Sequence, residues 1–407
     1  MRSDSLRLLS RSAKVSGQQI MDSSADMTAK SGAMRELVGP YLKLGLTAFG
    51  GPAAHIALMR DEFVNRRKWL NDAEFLDLVG AAAIIPGPSS TELAIYIGFR
   101  RAGLKGIAAA GLCFISPAVL MVMALAWAYV RYGSLPLTSG VLRGVEPVVV
   151  AVTLQALWMF GRTALKTRFL IAIGVGATAL GFLGVEPLLI LAGGGILGAL
   201  LQIRTVAAAS IIPPWVLAAA PSAATLTASL TSLFLVFLKA GAVVFGSGLV
   251  LLAFLRADLV EHLHWLTERQ LLDAVAVGQV TPGPVFTTAT FIGYILQGPL
   301  GALVATVGVF LPAFVLVAVS GPLIPRIRRS RVAAGVLDGV NVASLAIMAV
   351  VCVHLARASV NDIVTGGIAL LSAILLLRFR VGATWLVAGG AVMGAVLSAV
   401  GAVSPQH

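Results

Sequence analysis

The chain has 407 residues, 58% of them hydrophobic and 12% charged, with a mean hydropathy of +0.93 and a formal net charge of +12. A soluble domain carries about 25% charged residues, so a chain this apolar could not cover its own surface with polar groups. Nucleic-acid binding is excluded as well, because Lys and Arg lie in short stretches between apolar runs rather than on one basic face.

Residues 1–36 are polar and mixed, without the short apolar core of a signal peptide, and read as a flexible cytoplasmic tail. Apolar segments follow at 37–59, 75–99, 104–130, 141–161, 169–184 and 185–202. A weaker stretch, 205–231, contains Ile211-Ile212-Pro213-Pro214-Trp215 and is either a linker or an extra crossing. The series then resumes at 232–255, 270–296, 300–324, 335–356, 362–377 and 381–401, and 402–407 form a short tail. Most of these runs approach the ~20 residues that cross a bilayer. The expected fold is an all-α polytopic membrane protein of about 12–13 membrane segments.

The segments fall into two copies, a first transporter repeat over 37–204 and a second over 232–401. Sliding the chain by 196 residues aligns Lys43 with Lys239, Phe49-Gly50 with Phe245-Gly246, and Arg60 with Arg256. The same shift aligns Trp69-Leu70 with Trp265-Leu266, Asp77 with Asp273, and Pro86-Gly87-Pro88 with Pro282-Gly283-Pro284. Charges, tryptophans and a Pro-Gly-Pro do not coincide by apolar composition alone, so the unit is duplicated. Loop charges alternate in opposite phase. Arg100, Arg101 and Lys105 face an uncharged 296–301, whereas 131–140 has only Arg131 against Arg326, Arg328, Arg329 and Arg331. Arg162, Lys166 and Arg168 then face a lone Arg357, and Arg378 and Arg380 face a loop without bases. By the positive-inside rule the copies have inverted topology, and inverted repeats hold substrate between them near the midplane.

The chemistry is expected where the apolar segments break. Two prolines flanking a glycine force unwound backbone, which survives at membrane depth only when buried in protein or lining a wet cavity. The helix that starts after each Pro-Gly-Pro presents unpaired N–H groups and a positive dipole end, a ready anion site. Ser89, Ser90, Thr91, Thr287 and Thr288 add hydroxyl donors. Phe49-Gly50-Gly51-Pro52 and Phe245-Gly246-Ser247-Gly248 form a second matched pair of breaks, each following a lysine, Lys43 or Lys239, that suits a dianion. A kink for packing, a snorkelling lysine and a capping role for Asp77 and Asp273 are the plainer readings. The functional ones make Asp77 and Asp273 counter-ions to Lys43, Lys239, Arg60 or Arg256, or proton sites for coupling. Glu92, directly after the first break, is a further coupling candidate; Glu146, Glu186 and Asp338 are, like it, unmatched in the repeat. Trp69 and Trp265 look like interface anchors.

Nothing reads as an enzyme. There is no Walker loop, Ser89 and Ser90 have no partner histidine in a nucleophile motif, and Cys113 and Cys352 stand alone. His262 and His264 are two apart and point different ways on a helix. No metal and no cofactor are expected.

At these residues the sequence resembles the chromate ion transporter family, in its long-chain, two-domain type. The resemblance is carried by Phe49-Gly50-Gly51-Pro52, Arg60-Asp61-Glu62, Trp69-Leu70, Pro86-Gly87-Pro88, Phe245-Gly246-Ser247-Gly248 and Gln279-Val280-Thr281-Pro282-Gly283-Pro284, and covers roughly 37–400. It implies export of chromate across the bacterial inner membrane, conferring resistance, with sulfate as a related dianion, and with these residues forming the site. The expected partners are chromate, sulfate and the lipid bilayer, with a homodimer left open. A sulfate or other oxyanion carrier, or an anion channel, is the alternative.

Overall fold

The computed structural model describes residues 34–49, 51–133, 136–203, 228–244, 248–320, 330–379 and 381–399. The expectations for Gly50, Phe245, Gly246, Ser247, most of 205–231, the greater part of the N-terminal tail and 402–407 lie outside these residues. Among the described residues every regular element is helical.

The first repeat contains α1 (34–47), α2 (Gly51–Arg60), α3 (Asp72–Ala82), α4 (Ser89–Tyr132), α5 (Pro136–Ala164), α6 (Arg168–Phe182) and α7 (Pro187–Ile203). The second repeats this order as α8 (Leu230–Val243), α9 (Gly248–Leu255), α10 (Glu268–Val280), α11 (Thr288–Ser320), α12 (Arg331–Ser359), α13 (Ile363–Arg378) and α14 (Ala383–Ala399). Helix 34–47 takes in the last residues expected to be tail. Both α2 and α9 run on into a wide π turn, Asp61–Arg66 and Arg256–His262. Each third helix has a capping box, from Asn71 with Glu74 and from Thr267 with Gln270. Asp77 and Asp273 therefore sit inside their helices, and the capping role expected of them is taken by Asn71 and Thr267.

Among the described residues four helices are long and apolar enough to cross a membrane, within Ser89–Tyr132, Gly140–Ala164, Val285–Ser320 and Val332–Ser359. Their lipid-facing sides expose large apolar residues such as Leu112, Leu120, Trp127 and Leu303. Neither α4 nor α11 is one straight rod. Ala102-Gly103 and Gln297-Gly298 leave helical geometry, and the chain doubles back. Gly98 then packs on Gly106, and Gly293 on Gly301, so closely that a Cβ at either would lie within 2.4 Å of the facing carbonyl oxygen. Small residues let helix backbones touch in this way within a membrane.

The ends of the short helices show what they do. Glu36 at the start of α1 pairs with Arg101, and Glu74 at the start of α3 pairs with Arg100 at 3.0 Å. Arg67 and Arg101 both lie over the Trp69 ring. Hence α1, the π turn after α2, the start of α3 and the reversal in α4 share one end of the bundle. The stretch 37–59, read from sequence as one segment, is a re-entrant hairpin of α1 and α2. A second hairpin, of α3 and the short limb of α4, carries Pro86-Gly87-Pro88 at its tip. Helices of 11 to 14 residues reach about 15–20 Å, half-way through the ~30 Å core.

The long limb of α4 crosses to the opposite end, where Tyr129 meets Asp273, Glu146 meets Arg269, and Glu186 meets Lys239. There the hairpins of the second repeat enter. Helix α5 returns, so Lys166 at its C-terminal end pairs with Asp338 near the start of α12. The two copies thus enter from opposite ends, as the loop charges require. They clasp one another by exchange. Helix α5 packs on α14 through Gly140, Gly144, Gly390 and Gly394, and α12 packs on α7 through Gly194, Gly198 and Gly339.

Candidate functional site

The Pro-Gly-Pro turn of each repeat meets the chain just past the first helix of the other, and the contact is reciprocal. Gly87 N–H of the first Pro-Gly-Pro donates to the Val244 carbonyl at the end of α8, at 2.6 Å. Gly283 N–H of the second donates to the Ala48 carbonyl just past α1, at 2.9 Å. Both turns are buried throughout. Gly87 and Gly283 adopt φ of +139° and +97°, conformations that L side chains rarely take. A Cβ at Gly283 would lie 2.8 Å from the Ala118 methyl, and one at Gly87 would lie 2.5 Å from Glu92 Oε1.

A new helix starts after each turn, at Ser89 behind Pro88 and through the short Val285–Thr287 turn behind Pro284. One small pocket lies between them, lined by Pro52, His55, Pro88, Ser89, Ser90, Pro284, Val285 and Phe286. It has room for about one water as it stands, so a tetrahedral oxyanion would have to part the tips to enter. The first turns of α4 and of the segment leading into α11 face this pocket, and the N-terminus of α2 joins them at Pro52. Converging positive dipole ends and first-turn N–H groups favour an anion there.

The expected site residues fall into several groups. Pro88, Ser89, Ser90 and Pro284 line the pocket. Pro86, Gly87, Pro282 and Gly283 shape the buried tips, and Gly51, with φ of +80°, opens α2. Thr91 is buried with no hydrogen-bond partner for its hydroxyl among the described residues. The hydroxyls of Thr281, Thr287 and Thr288 bond back to carbonyls of their own turns, and Gln279 is half-buried. Phe49 is exposed.

The lysines stand apart from the pocket. Lys43 lies 3.4 Å from Glu62, and Lys239 lies 3.0 Å from Asp258 and 3.7 Å from Glu186. Glu62 and Asp258 are matched positions in the two π turns, so each lysine is held by a carboxylate of its own repeat. Burial pushes Glu62 up, but the hydrogen bond from Arg67 and the charge of Lys43 outweigh it and hold the carboxyl below its usual range. Arg60 pairs with Asp72, and Arg256 with Glu261 and Glu268. Asp273 is buried and accepts a hydrogen bond from Tyr129 at 2.9 Å, while Asp77 is exposed. The ion pairs of these four cations thus run to Glu62, Asp258, Glu186, Asp72, Glu261 and Glu268.

Two features of the site escaped sequence reading. Glu92 was singled out by position, but its setting was not visible: it is fully buried, and neither carboxyl oxygen has a hydrogen-bond partner among the described residues. An ionised carboxylate left there would be very costly. His55 was missed altogether. It is buried against the pocket, with Nε2 2.9 Å from the Ala48 carbonyl and Nδ1 3.1 Å from Ser90 Oγ. Its only signal in the sequence is a polar residue inside a broken apolar run, where the matched position of the second repeat is Leu251.

A duplicated bundle of opposed copies, whose broken helices meet around a pocket, is an architecture that secondary transporters use, and the protein is a multi-pass membrane protein. The chain belongs to the chromate transporter family, whose profile matches residues 35–199 and again 231–395. The chromate transport protein of Cupriavidus metallidurans is 34% identical over 381 residues, covering 91% of this chain and 94% of that one. A probable chromate transport protein of Synechococcus elongatus is 33% identical over 356 residues, covering 84% and 90%. The chromate transport protein of Pseudomonas aeruginosa is 32% identical over 344 residues, covering 81% and 82%. No solved structure matches.

Proposed function

We propose that this protein is a secondary transporter that exports chromate from the cytoplasm across the bacterial inner membrane and thereby confers chromate resistance. The observation that carries the reading is the pocket between the two Pro-Gly-Pro tips, on which helix N-termini from both repeats converge. The names of the relatives supply the particular anion. Sulfate is a tetrahedral dianion too, so amide and hydroxyl donors separate it poorly from chromate, and it is expected to compete.

Direction follows from charge. A potential negative inside opposes entry of a dianion and favours its exit, by about 2.3 kcal/mol per charge per 100 mV. The end of the bundle that carries Arg100, Arg101, Lys105 and Lys166 is then cytoplasmic. Residues 37–204 and 232–401 act as the two halves of one carrier, with 205–231 joining them.

Labelled chromate flux in proteoliposomes tests this. Saturable flux, faster outward under a negative internal potential and competed by sulfate, is the expected result. Pro282→Ala is expected to impair it while leaving membrane insertion intact. Flux that does not saturate and shows no trans-stimulation would mark a channel instead, and loss of chromate by change of valence would mark a reductase.

A further inference from the structure

We propose that His55 is a substrate-binding residue and the proton switch of this pocket: an arriving oxyanion draws a proton onto the imidazole, which releases the Ser90 hydroxyl towards the anion. The inference rests on the oxyanion reading above and adds a proton to it.

Hydrogen-bond directions carry the argument. The Ala48 carbonyl can only accept, so His55 Nε2, 2.9 Å away, bears a hydrogen. In the neutral ring Nδ1 is then an acceptor, and Ser90 Oγ, at 3.1 Å, donates to it. The single hydroxyl hydrogen of Ser90 is thus spent on the ring, and the pocket is denied a donor that lines it. Protonation reverses one bond. Nδ1–H now donates to Ser90 Oγ, Nε2–H stays on Ala48, and the serine hydrogen is free to point at an anion. The imidazolium also places a positive charge beside the pocket, which no Lys or Arg among the described residues lines.

The surroundings leave His55 as the group for this task. From α4 it faces Ser90 and the ring of Phe114 edge-on at 5.8 Å, with the buried Glu92 two residues beyond Ser90. From α1 it faces the Ala48 carbonyl, and Lys43 five residues back is held by Glu62. On its own helix Arg60 turns outward to Asp72. The second repeat contributes Pro284, Val285 and Phe286, none of which titrates. The Ala48 carbonyl also accepts Gly283 N–H, so the histidine is tied directly to the joint between the repeats.

The sign follows from linkage. A bound anion raises the proton affinity of His55, so anion affinity is full at low pH and falls as pH rises through the window between the free and bound states. Chromate binding to the purified full-length protein in detergent is measured between about pH 4 and 8, for the natural chain, His55→Gln and Glu92→Gln. The titration of chromate itself is common to all three and cancels. Relative to His55→Gln, the natural chain is expected to lose up to about tenfold in affinity per pH unit. Proton uptake on adding chromate in weak buffer, in excess of that by His55→Gln, gives the same answer by a second route. An identical pH profile in His55→Gln, no excess proton uptake, or a profile flattened only by Glu92→Gln would overturn the inference while the transport reading stood. Absence of chromate binding at every pH would remove that reading and this inference with it.

Discussion

The two repeats share their helices, turns and lysine–carboxylate pairs, yet their contributions to the pocket differ. The first repeat lines it with His55 and Ser90, where the second has Leu251, which does not line it, and Phe286, which does. At the entrances the bias is reversed. Lys239 is 18% exposed against 54% for Lys43, Arg256 is 12% exposed against 52% for Arg60, and Asp273 is buried where Asp77 is exposed. One copy has become the chemical wall of the site and the other the more firmly packed one. Duplication fixes a frame, and the matched positions then drift according to what each face must hold.

Matched substitutions test that division. The largest contrast is expected at the tips. Gly283→Ala sets a methyl against the Ala118 methyl on rigid backbone, at a cost of about 3 kcal/mol from overpacking and strain together. Gly87→Ala meets only the far end of the Glu92 side chain and is expected to cost about 1–2 kcal/mol. Melting in detergent and chromate flux would both rank them so, and the reverse ranking would break the picture of a rigid second repeat.

Next come the lysines. Lys239→Ala strands Asp258 and Glu186 in a half-buried setting and is expected to cost about 2 kcal/mol and to impair flux. Lys43→Ala breaks a more exposed pair and should cost less than about 1 kcal/mol. Equal losses for the two would remove the distinction.

Asp273→Asn weakens the bond from Tyr129 in a buried site, and about 1–2 kcal/mol is expected. Asp77→Asn on the exposed face should cost less than that. The smallest effect is expected at Arg60→Ala, about 0.2–1 kcal/mol and fading with salt. Arg256→Ala, more enclosed and bonded to two carboxylates, should exceed it, and melting curves at low and high salt would show whether it does.

Much of this was legible beforehand. Duplication, opposite orientation, the matched breaks and the helix starts behind each Pro-Gly-Pro follow from residue spacing and loop charge. The hairpins were not legible. Proline and glycine announce that a helix ends, but they do not say whether the chain continues or returns. Partners distant in sequence decide that, such as Arg100 on Glu74. The partners of the lysines were hidden for a related reason: a cation in an apolar run needs a partner, and Glu62 and Asp258 stand 19 residues away in each repeat, beyond any local pattern.

From the sequence alone come the membrane, the two copies, their opposed senses and the places where backbone must unwind, because each rests on composition or on spacing along one chain. The tertiary structure alone decided which tips touch, that Gly87 and Gly283 bond across the repeats, and that His55 and Ser90 share a hydrogen beside the pocket. Those facts depend on distances between residues far apart in the chain, set by helix packing that no local signal encodes.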